Sequence, residues 1–240
     1  MLGRGRVPSF LEFESEERVF YLRNIKPGDT VFDVGANVGD LTLLFSRFAG
    51  NDGHVHAFEP TPVTFGKLGT IIKVAGRTNV VLNQCAVSDK AGVLTFNVYT
   101  ETHQTWNTLA DRPLEKYGVN IPAPEKIEVK SISIDDYCTE NKIDRIDLLK
   151  IDVEGAELHV LKGARRMFAE NRVRICMFEF GQTIHDMGLS GDDIADFFKS
   201  MGNYRLKSLM RGRKLFPVNK ANGQADFAMN IAYLKTTRLR

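Results

Sequence analysis

The stretch VFDVGANVGD, residues 31–40, decides the fold of this chain. Residues 31–34 are apolar apart from Asp33 and predict a short strand. A glycine turn follows at residues 35–39, and apolar residues then recur at helical spacing through residues 41–48. The stretch therefore predicts a strand, a tight turn and a helix, which lets backbone approach a ligand and directs free N–H groups at it.

The next strand pattern ends in a carboxylate. Residues His54–Phe58 are largely apolar and are followed directly by Glu59. An acid about 20 residues beyond a glycine turn suits a ribose diol, because one carboxylate accepts hydrogen bonds from both hydroxyls. The turn and Glu59 together predict a nucleoside-containing cofactor.

Charges around the turn distinguish between such cofactors. The dinucleotide fingerprint is G-x-G-x-x-G, whereas this chain has G-x-x-x-G followed by Asp40. Asp33 and Asp40 are poor neighbours for a pyrophosphate but suit the sulfonium and ammonium of S-adenosylmethionine, which has no phosphate. The pattern thus favours S-adenosylmethionine over NAD. The alternative is a turn that only connects strand to helix, with Asp40 as the cap.

Bulk composition excludes little. A chain of 240 residues fits one large α/β domain or two small domains, and a net charge of +2 does not indicate nucleic acid or a membrane. From Lys199 onward, ten Lys or Arg face a single acid, Asp226. We interpret this region as a solvated surface with a basic tail, and a surface that attracts an anionic substrate is the alternative.

The cysteine spacing and the first residues of the chain bear on its cellular location. Cys85, Cys138 and Cys176 are widely spaced and form no C-x-x-C, which predicts free thiols rather than a zinc site or a redox pair. We find no signal-peptide pattern and no apolar run near the ~18 residues of a membrane span. A cytoplasmic location is therefore expected.

Strand and helix patterns alternate over most of the chain. They predict an α/β fold with a doubly wound, mainly parallel sheet, closed by antiparallel C-terminal strands at residues 204–209 and 226–234. One domain is expected over residues 1–240, with a helical cap at residues 10–26 that covers a pocket mouth or a sheet edge. Residues 99–126 are polar and without period, which is typical of a functional or a disordered segment.

Three local expectations can be tested against a structure. One helix is predicted over residues 155–169, and a turn over residues 86–92. Thr61 is the expected N-cap of a helix that begins at Pro62.

Several motifs, in this order and at this spacing, resemble those of the FkbM-type methyltransferases. They are VFDVGANVGD, HAFEP, AVSDKAG, residues 107–109, SIDDY at residues 133–137 and DLLKIDVEGAE at residues 147–157. The resemblance implies the class I, Rossmann-like methyltransferase fold and use of S-adenosylmethionine. It also implies methyl transfer to a hydroxyl, typically on a sugar, polysaccharide, glycolipid or polyketide.

The resemblance also implies roles for individual residues. Asp33, Gly35, Asn37 and Gly39 would line the methionine part of the cofactor, and Glu59 would hold the ribose. The backbone at Ala86 and Val87, with Ser88 beside it, would lie next to the adenine, and Asp152 near the amino group or the acceptor. Asn37 replaces the middle glycine of the commonest pattern, G-x-G-x-G, and FkbM-type sequences share this departure.

An alcohol needs a base to become a good nucleophile. We take Asp152, Glu154 and Glu179 as the catalytic candidates. Asp152 and Glu154 would share one face of extended backbone and seat an acceptor hydroxyl or, less favoured, a divalent metal. No metal site is predicted. The alternative is that one caps the next helix and the other orients the cofactor.

Three other residues are weaker candidates. His103 and His185 are interpreted as solvated side chains rather than bases. Trp106 is interpreted as an anchor of its loop, with stacking on a sugar face as the alternative.

Three functions remain open on the sequence alone. The first is an O-methyltransferase with a small-molecule or glycan hydroxyl acceptor, and the second is a non-catalytic S-adenosylmethionine-binding module. The third, a nucleic-acid methyltransferase, is disfavoured, because the chain lacks an Asn-Pro-Pro-aromatic motif and a cysteine placed as nucleophile. A dehydrogenase is the least favoured, and the oligomeric state is left open.

Overall fold

The computed structural model describes residues 10–100, 107–218 and 225–240. The helices are α1 (Phe10–Asn24), α2 (Asp40–Ala49), α3 (Pro62–Val74), α4 (Ile134–Glu140), α5 (Glu157–Gly163), α6 (Arg165–Ala169), α7 (Gln182–Asp186) and α8 (Gly191–Met201), with a 3-10 turn at Leu114–Tyr117. The strands are β1 (Thr30–Val34), β2 (His54–Phe58), β3 (Val80–Asn83), β4 (Ala86–Val87), β5 (Gly92–Val98), β6 (Glu125–Ile132), β7 (Ile146–Ile151), β8 (Val173–Phe180), β9 (Tyr204–Ser208) and β10 (Ala228–Leu234).

A seven-stranded sheet forms the centre of the molecule, in the order β3-β2-β1-β7-β8-β10-β9. Strands β3, β2, β1, β7 and β8 are parallel, and β10 runs antiparallel to both of its neighbours. The predicted α/β, doubly wound, mainly parallel sheet with an antiparallel C-terminal strand is confirmed. The strand order reverses between β1 and β7, and ligands of such sheets bind at the carboxyl ends beside that reversal.

The central strands are apolar on both faces because helices cover both. Along β7, Leu149 and Ile151 enter the core shared with α4, α5, α6 and α8, whereas Leu148 enters the core shared with α1 and α2. All three side chains are fully buried. Burial on both faces fixes the register of β7 and thereby the position of the polar residues at its end.

A second sheet, in the order β4-β6-β5, lies outside the first. Strands β5 and β6 pair antiparallel, while β4 pairs parallel with β6. The turn predicted over residues 86–92 is wrong at its start, because Ala86 and Val87 form β4. A strand of two residues has no periodicity that a sequence pattern can reveal.

The single helix predicted over residues 155–169 is also wrong. The chain forms α5 and α6, with Ala164 between them. The carboxylate of Asp135, on α4, accepts hydrogen bonds from the backbone N–H groups of Arg166 at 2.7 Å and Met167 at 3.0 Å. A side chain distant in sequence therefore supplies the acceptors that the start of α6 needs.

Two further expectations concern the cysteines and the helices. Cys85, Cys138 and Cys176 are free thiols, as predicted. Among the described residues, every helix is too short or too polar to cross a membrane.

Candidate active site

A cavity of about 600 Å³ opens at the carboxyl ends of the parallel strands. Its wall combines the glycine turn, the end of β2, strand β4, residues 107–112 and one face of α1. The predicted site residues in this wall are Gly35, Asn37, Gly39, Glu59, Ala86, Val87, Asp152, Glu154 and Glu179. Residues from five separate strand ends thus meet around one space.

The glycine turn can adopt its path only with glycine at its first position. Gly35 has φ of 79°, and a Cβ added there would overlap the backbone carbonyl of Asp152. The N–H groups of Gly35 and Ala36 donate to the carbonyl of Phe58 at 3.1 and 3.0 Å. The turn is therefore clamped between β2 and β7, with its backbone facing the cavity.

Glu59 is held at the tip of β2 by three donors. Its Oε2 accepts from the N–H of Asn37 at 3.1 Å, and its Oε1 accepts from the N–H and hydroxyl of Thr61 at 3.0 and 2.6 Å. Burial raises the pKa of Glu59, and these hydrogen bonds oppose the rise. Thr61 is the N-cap residue of α3, but its side chain makes no capping hydrogen bond. Thr61, the expected N-cap residue, instead uses its hydroxyl to hold the Glu59 carboxylate in position.

Strand β4 forms a third wall. Ala86 and Val87 are buried and line the cavity, next to Cys85. The N–H of Ser88 donates to the carbonyl of Ile132 at 3.0 Å, and Ser88 is not among the lining residues. The apolar surface of β4 suits a flat, weakly polar ring.

Asp33 lies behind the turn and does not line the cavity. It is fully buried, and its Oδ2 accepts from the hydroxyl of Thr42 at 2.6 Å. The β1–β7 register pairs it with Lys150, whose Nζ lies 3.4 Å from its Oδ1. Asp33 thus anchors the buried lysine.

Lys150 connects the turn to the acidic end of β7. Its Nζ donates to the carbonyl of Gly35 at 2.9 Å and lies 3.3 Å from Oδ2 of Asp152. Burial alone would lower the pKa of Lys150, but Asp152 and Asp33 raise it, so the side chain stays protonated. Sequence reasoning missed this residue, because one lysine in a dense apolar run is read only as part of a strand.

Three carboxyl groups lie close together beside Lys150. Oxygen atoms of Asp152, Glu154 and Glu179 all lie within 4.8 Å of one another. Asp152 and Glu154 follow β7, while Glu179 lies near the end of β8. The structure therefore brings together the three residues predicted as catalytic candidates.

The three groups differ in protonation. Burial opposes ionisation of Asp152, but the Lys150 ammonium and a hydrogen bond with Glu179 lower its pKa. Burial and then the Asp152 carboxylate raise the pKa of Glu154 to about 8, and the same causes raise that of Glu179 well above its usual range. Crowded carboxyl groups cannot all ionise, so one stays charged while its neighbours retain protons.

Backbone strain places Glu154 in the cluster. Glu154 has φ of 54°, a conformation that non-glycine residues seldom adopt, and Gly155 follows with φ of 108°. The hydroxyl of Thr108 donates to the Glu154 carbonyl, and the buried Glu157 accepts from the N–H groups of Val153 and Gly155 at 3.1 and 3.3 Å. Strain maintained by several hydrogen bonds is typical of functional sites.

Arg112 adds a cation to this side of the cavity. Its Nη1 lies 3.9 Å from Oε2 of Glu154, and its Nε lies 3.7 Å from Oδ2 of Asp186. Because residues 99–126 show no period, sequence reasoning could not place it. The nearby motif at residues 107–109, one of those shared with FkbM-type sequences, contributes Asn107 and Leu109 to the wall.

The acidic cluster also offers oxygen ligands of the kind that divalent metals prefer. Lys150 already neutralises part of its charge, and Asp152 and Glu179 share a hydrogen bond. A metal ion at this cluster would have to compete with both interactions for the carboxylate oxygens.

The remaining sequence candidates do not meet this cluster. His185 lies on α7, edge-on to Phe180 with ring centroids 6.0 Å apart, and is not among the residues that line the cavity. His103 and Trp106 lie outside the described residues.

Comparison with known proteins gives a consistent result. Residues 33–205 match the model of the methyltransferase FkbM domain. The 31-O-demethyl-FK506 methyltransferase FkbM of Streptomyces tacrolimicus is 37% identical over 169 residues, which cover 60% of this chain and 63% of that protein. The hexuronic acid methyltransferase AglP of Haloferax volcanii is 29% identical over 143 residues, or 59% and 52% of the two chains. The chain thus spans less than two thirds of the length of either relative.

A solved structure resembles the whole architecture. A SAM-dependent methyltransferase from Aquifex aeolicus superposes with a TM-score of 0.51 and 14% identity, over 95% of this chain and 93% of that one. At this identity the likeness concerns the fold alone.

Proposed function

The chain belongs to the FkbM-domain methyltransferases, and we propose that it transfers the methyl group of S-adenosylmethionine to a hydroxyl oxygen. The observation that carries this proposal is the single cavity in which a glycine turn and Glu59 face the carboxyl cluster of Asp152, Glu154 and Glu179. One end of the cavity has the features of a nucleoside site, and the other end has groups that can accept a proton.

The residues present fit the cofactor. Gly35 and Gly39 line the cavity without side chains, and the buried Oδ1 of Asn37 has no hydrogen-bond partner among the described residues. Glu59 would accept from the ribose hydroxyls, and Ala86 and Val87 would cover the adenine. S-adenosylmethionine would supply an activated methyl group with a positively charged leaving sulfur, next to the ionised Asp152.

Glu154 is the proposed general base. With a pKa of about 8, its carboxylate is present in useful amount near neutral pH and is more basic than an ordinary glutamate. It would take the proton of the acceptor hydroxyl as the oxygen attacks the methyl carbon. Glu179, protonated, would donate a hydrogen bond, and the strained backbone at Glu154 would keep the base aimed at the acceptor.

The names of two relatives support a class of acceptor. One relative is named for a methyl transfer to 31-O-demethyl-FK506 and another for transfer to a hexuronic acid. We therefore propose a hydroxyl of a sugar, a glycolipid or polysaccharide, or a secondary metabolite. The acceptor would enter between α1, residues 107–112, the end of β8 and the start of β10.

The first experiment is a titration of S-adenosylhomocysteine into the purified chain by calorimetry. Micromolar binding corresponds to roughly −8 kcal/mol. Acceptors of the three classes are then incubated with S-adenosylmethionine, and the release of S-adenosylhomocysteine is measured by mass spectrometry at several pH values. Acceptor-dependent release should rise with pH through about 8, as Glu154 loses its proton. A well-folded chain that binds no S-adenosylhomocysteine would refute the proposal.

A further inference from the structure

Part of the cavity wall comes from outside the segment that the family model matches. Helix α1 contributes Glu14, Glu17 and Arg18 to the lining, and all three precede residue 33, where the match begins. Arg18 is exposed, whereas Glu17 is partly buried. Helix α1 is therefore more than an outer cover, because it carries charged groups into the cavity.

Tyr21 fixes the position of Glu17. The Tyr21 side chain is fully buried, and its hydroxyl donates to Oε1 of Glu17, one helical turn away, at 2.6 Å. The Tyr21 ring packs edge-on against Phe45 of α2, with centroids 4.6 Å apart. The hydrogen bond from the buried Tyr21 holds the Glu17 carboxylate in one position, whereas a side chain without a role could remain free in solvent. This argues for a defined role of Glu17 in the cavity.

The charges around Glu17 belong to β1 and to the end of β7. Burial raises the pKa of Glu17, the Lys150 ammonium lowers it, and the carboxylates of Asp152 and Asp33 raise it. Conversely, Glu17 is one of the groups that raise the pKa of Lys150. With all four groups ionised, three carboxylates surround one ammonium, and two negative charges remain unbalanced at this end of the cavity.

We propose that Glu17, held by Tyr21, is a binding residue for the ammonium of the methionine part of the cofactor, so that α1 completes the cofactor site. An ammonium donates hydrogen bonds to carboxylate oxygens, which a sulfonium cannot do. The Gly35 carbonyl already accepts a hydrogen bond from Lys150, and Glu17, which also lines the cavity, offers a second cation a charged acceptor. This inference rests on the proposed function.

Two ligands separate this role from a purely structural one. S-adenosylhomocysteine carries the ammonium, whereas 5′-methylthioadenosine has the same nucleoside and thioether but no amino acid part. Binding of both is measured by calorimetry on the wild-type chain and on Glu17→Gln, Tyr21→Phe and Glu16→Gln. Glu16 is an exposed acid on the same helix and serves as the matched control.

Glu17→Gln should weaken S-adenosylhomocysteine binding roughly tenfold and leave 5′-methylthioadenosine binding within about twofold of wild type. Tyr21→Phe should show a smaller loss with the same selectivity, and Glu16→Gln should show none. Equal losses for the two ligands, or no loss in Glu17→Gln, would overturn the role of Glu17. A wild-type chain that binds neither ligand would instead overturn the proposed function.

Discussion

The two ends of the cavity use the same chemical group in opposite ways. At the end of β2, Glu59 receives three hydrogen bonds from neutral donors on adjacent residues of the chain and from the turn. At the ends of β7 and β8, Asp152, Glu154 and Glu179 face one another and one buried ammonium. On the proposed function, the first carboxylate binds a neutral diol, while the second group holds and exchanges a proton.

The difference lies in what surrounds each carboxylate rather than in the residue type. Hydrogen bonds favour the charged form of Glu59 and oppose the effect of burial. Glu154 is crowded by Asp152, so the same burial leaves its pKa near 8. These different surroundings are the basis on which we propose a binding role for Glu59 and a proton-transfer role for Glu154.

The largest expected effect separates the two ends directly. Glu154→Gln removes the proposed base and should lower kcat by roughly 10²- to 10⁴-fold, while S-adenosylhomocysteine affinity stays within about twofold. Turnover with the best acceptor and calorimetry are the measurements. Glu170→Gln, which changes an exposed acid after α6, is the control. A variant with undiminished kcat would move the base to Glu179 or Asp152.

Gly35→Ala acts on the turn that lies between the two ends. The added Cβ would overlap the Asp152 carbonyl at a residue with φ of 79°, which should cost roughly 2 to 4 kcal/mol in stability or S-adenosylhomocysteine binding. Gly28→Ala is a matched control, because Gly28 has φ of 89° and open space around its Cβ position. Thermal unfolding and calorimetry should show a clearly larger loss at Gly35. Similar losses would mean that φ alone, and not the contact with β7, requires glycine.

Glu59→Ala tests the binding end. Loss of a buried, hydrogen-bonded carboxylate that, on our proposal, contacts the ribose should cost roughly 1.5 to 3 kcal/mol of binding. The loss should be equal for S-adenosylhomocysteine and 5′-methylthioadenosine, because both contain the ribose. A loss confined to S-adenosylhomocysteine would place Glu59 near the amino acid part instead.

The smallest effect concerns stability and pH. The folded chain keeps the proton of Glu154 up to about pH 8, whereas the unfolded chain releases it near the usual value of 4.5. Because the folded state binds more protons in that range, this group's contribution to stability is complete below about 4.5 and is lost as pH rises towards 8. The Tm of the wild-type chain should therefore fall by a few degrees more between pH 5 and pH 8 than the Tm of Glu154→Gln does. Equal falls in Tm would show that Glu154 ionises normally.

Sequence patterns predicted where most of these residues lie, but not how they are protonated. The glycine turn and Glu59 follow strands with clear apolar patterns, so their meeting at one sheet edge could be inferred. Asp152 and Glu179 could be placed near one another for the same reason. Glu154 joins them with φ of 54°, and not on the extended backbone that its spacing from Asp152 predicted. Their unequal protonation could not be inferred, because it depends on distances between strands that are remote in sequence.

Other parts of the site could not be predicted from a sequence pattern. Strand β4 is too short for a period, and Arg112 lies in a segment without one. Lys150 is a charged residue within an apolar run of sequence, and only the β1–β7 register shows that it faces Asp33. The break between α5 and α6 depends on Asp135, a partner about 30 residues away that a local pattern does not include.

The pairing of β1 with β7 has a consequence for biosynthesis. The contact between Gly35 and Lys150 joins positions separated by 115 residues, and β10 enters the sheet between β8 and β9 only near the end of the chain. Contacts of such large sequence separation form slowly, because a long loop must close first. During synthesis on the ribosome, the glycine turn therefore emerges long before its partners, and the nascent chain passes through a period in which the N-terminal strands are made but the site cannot yet exist.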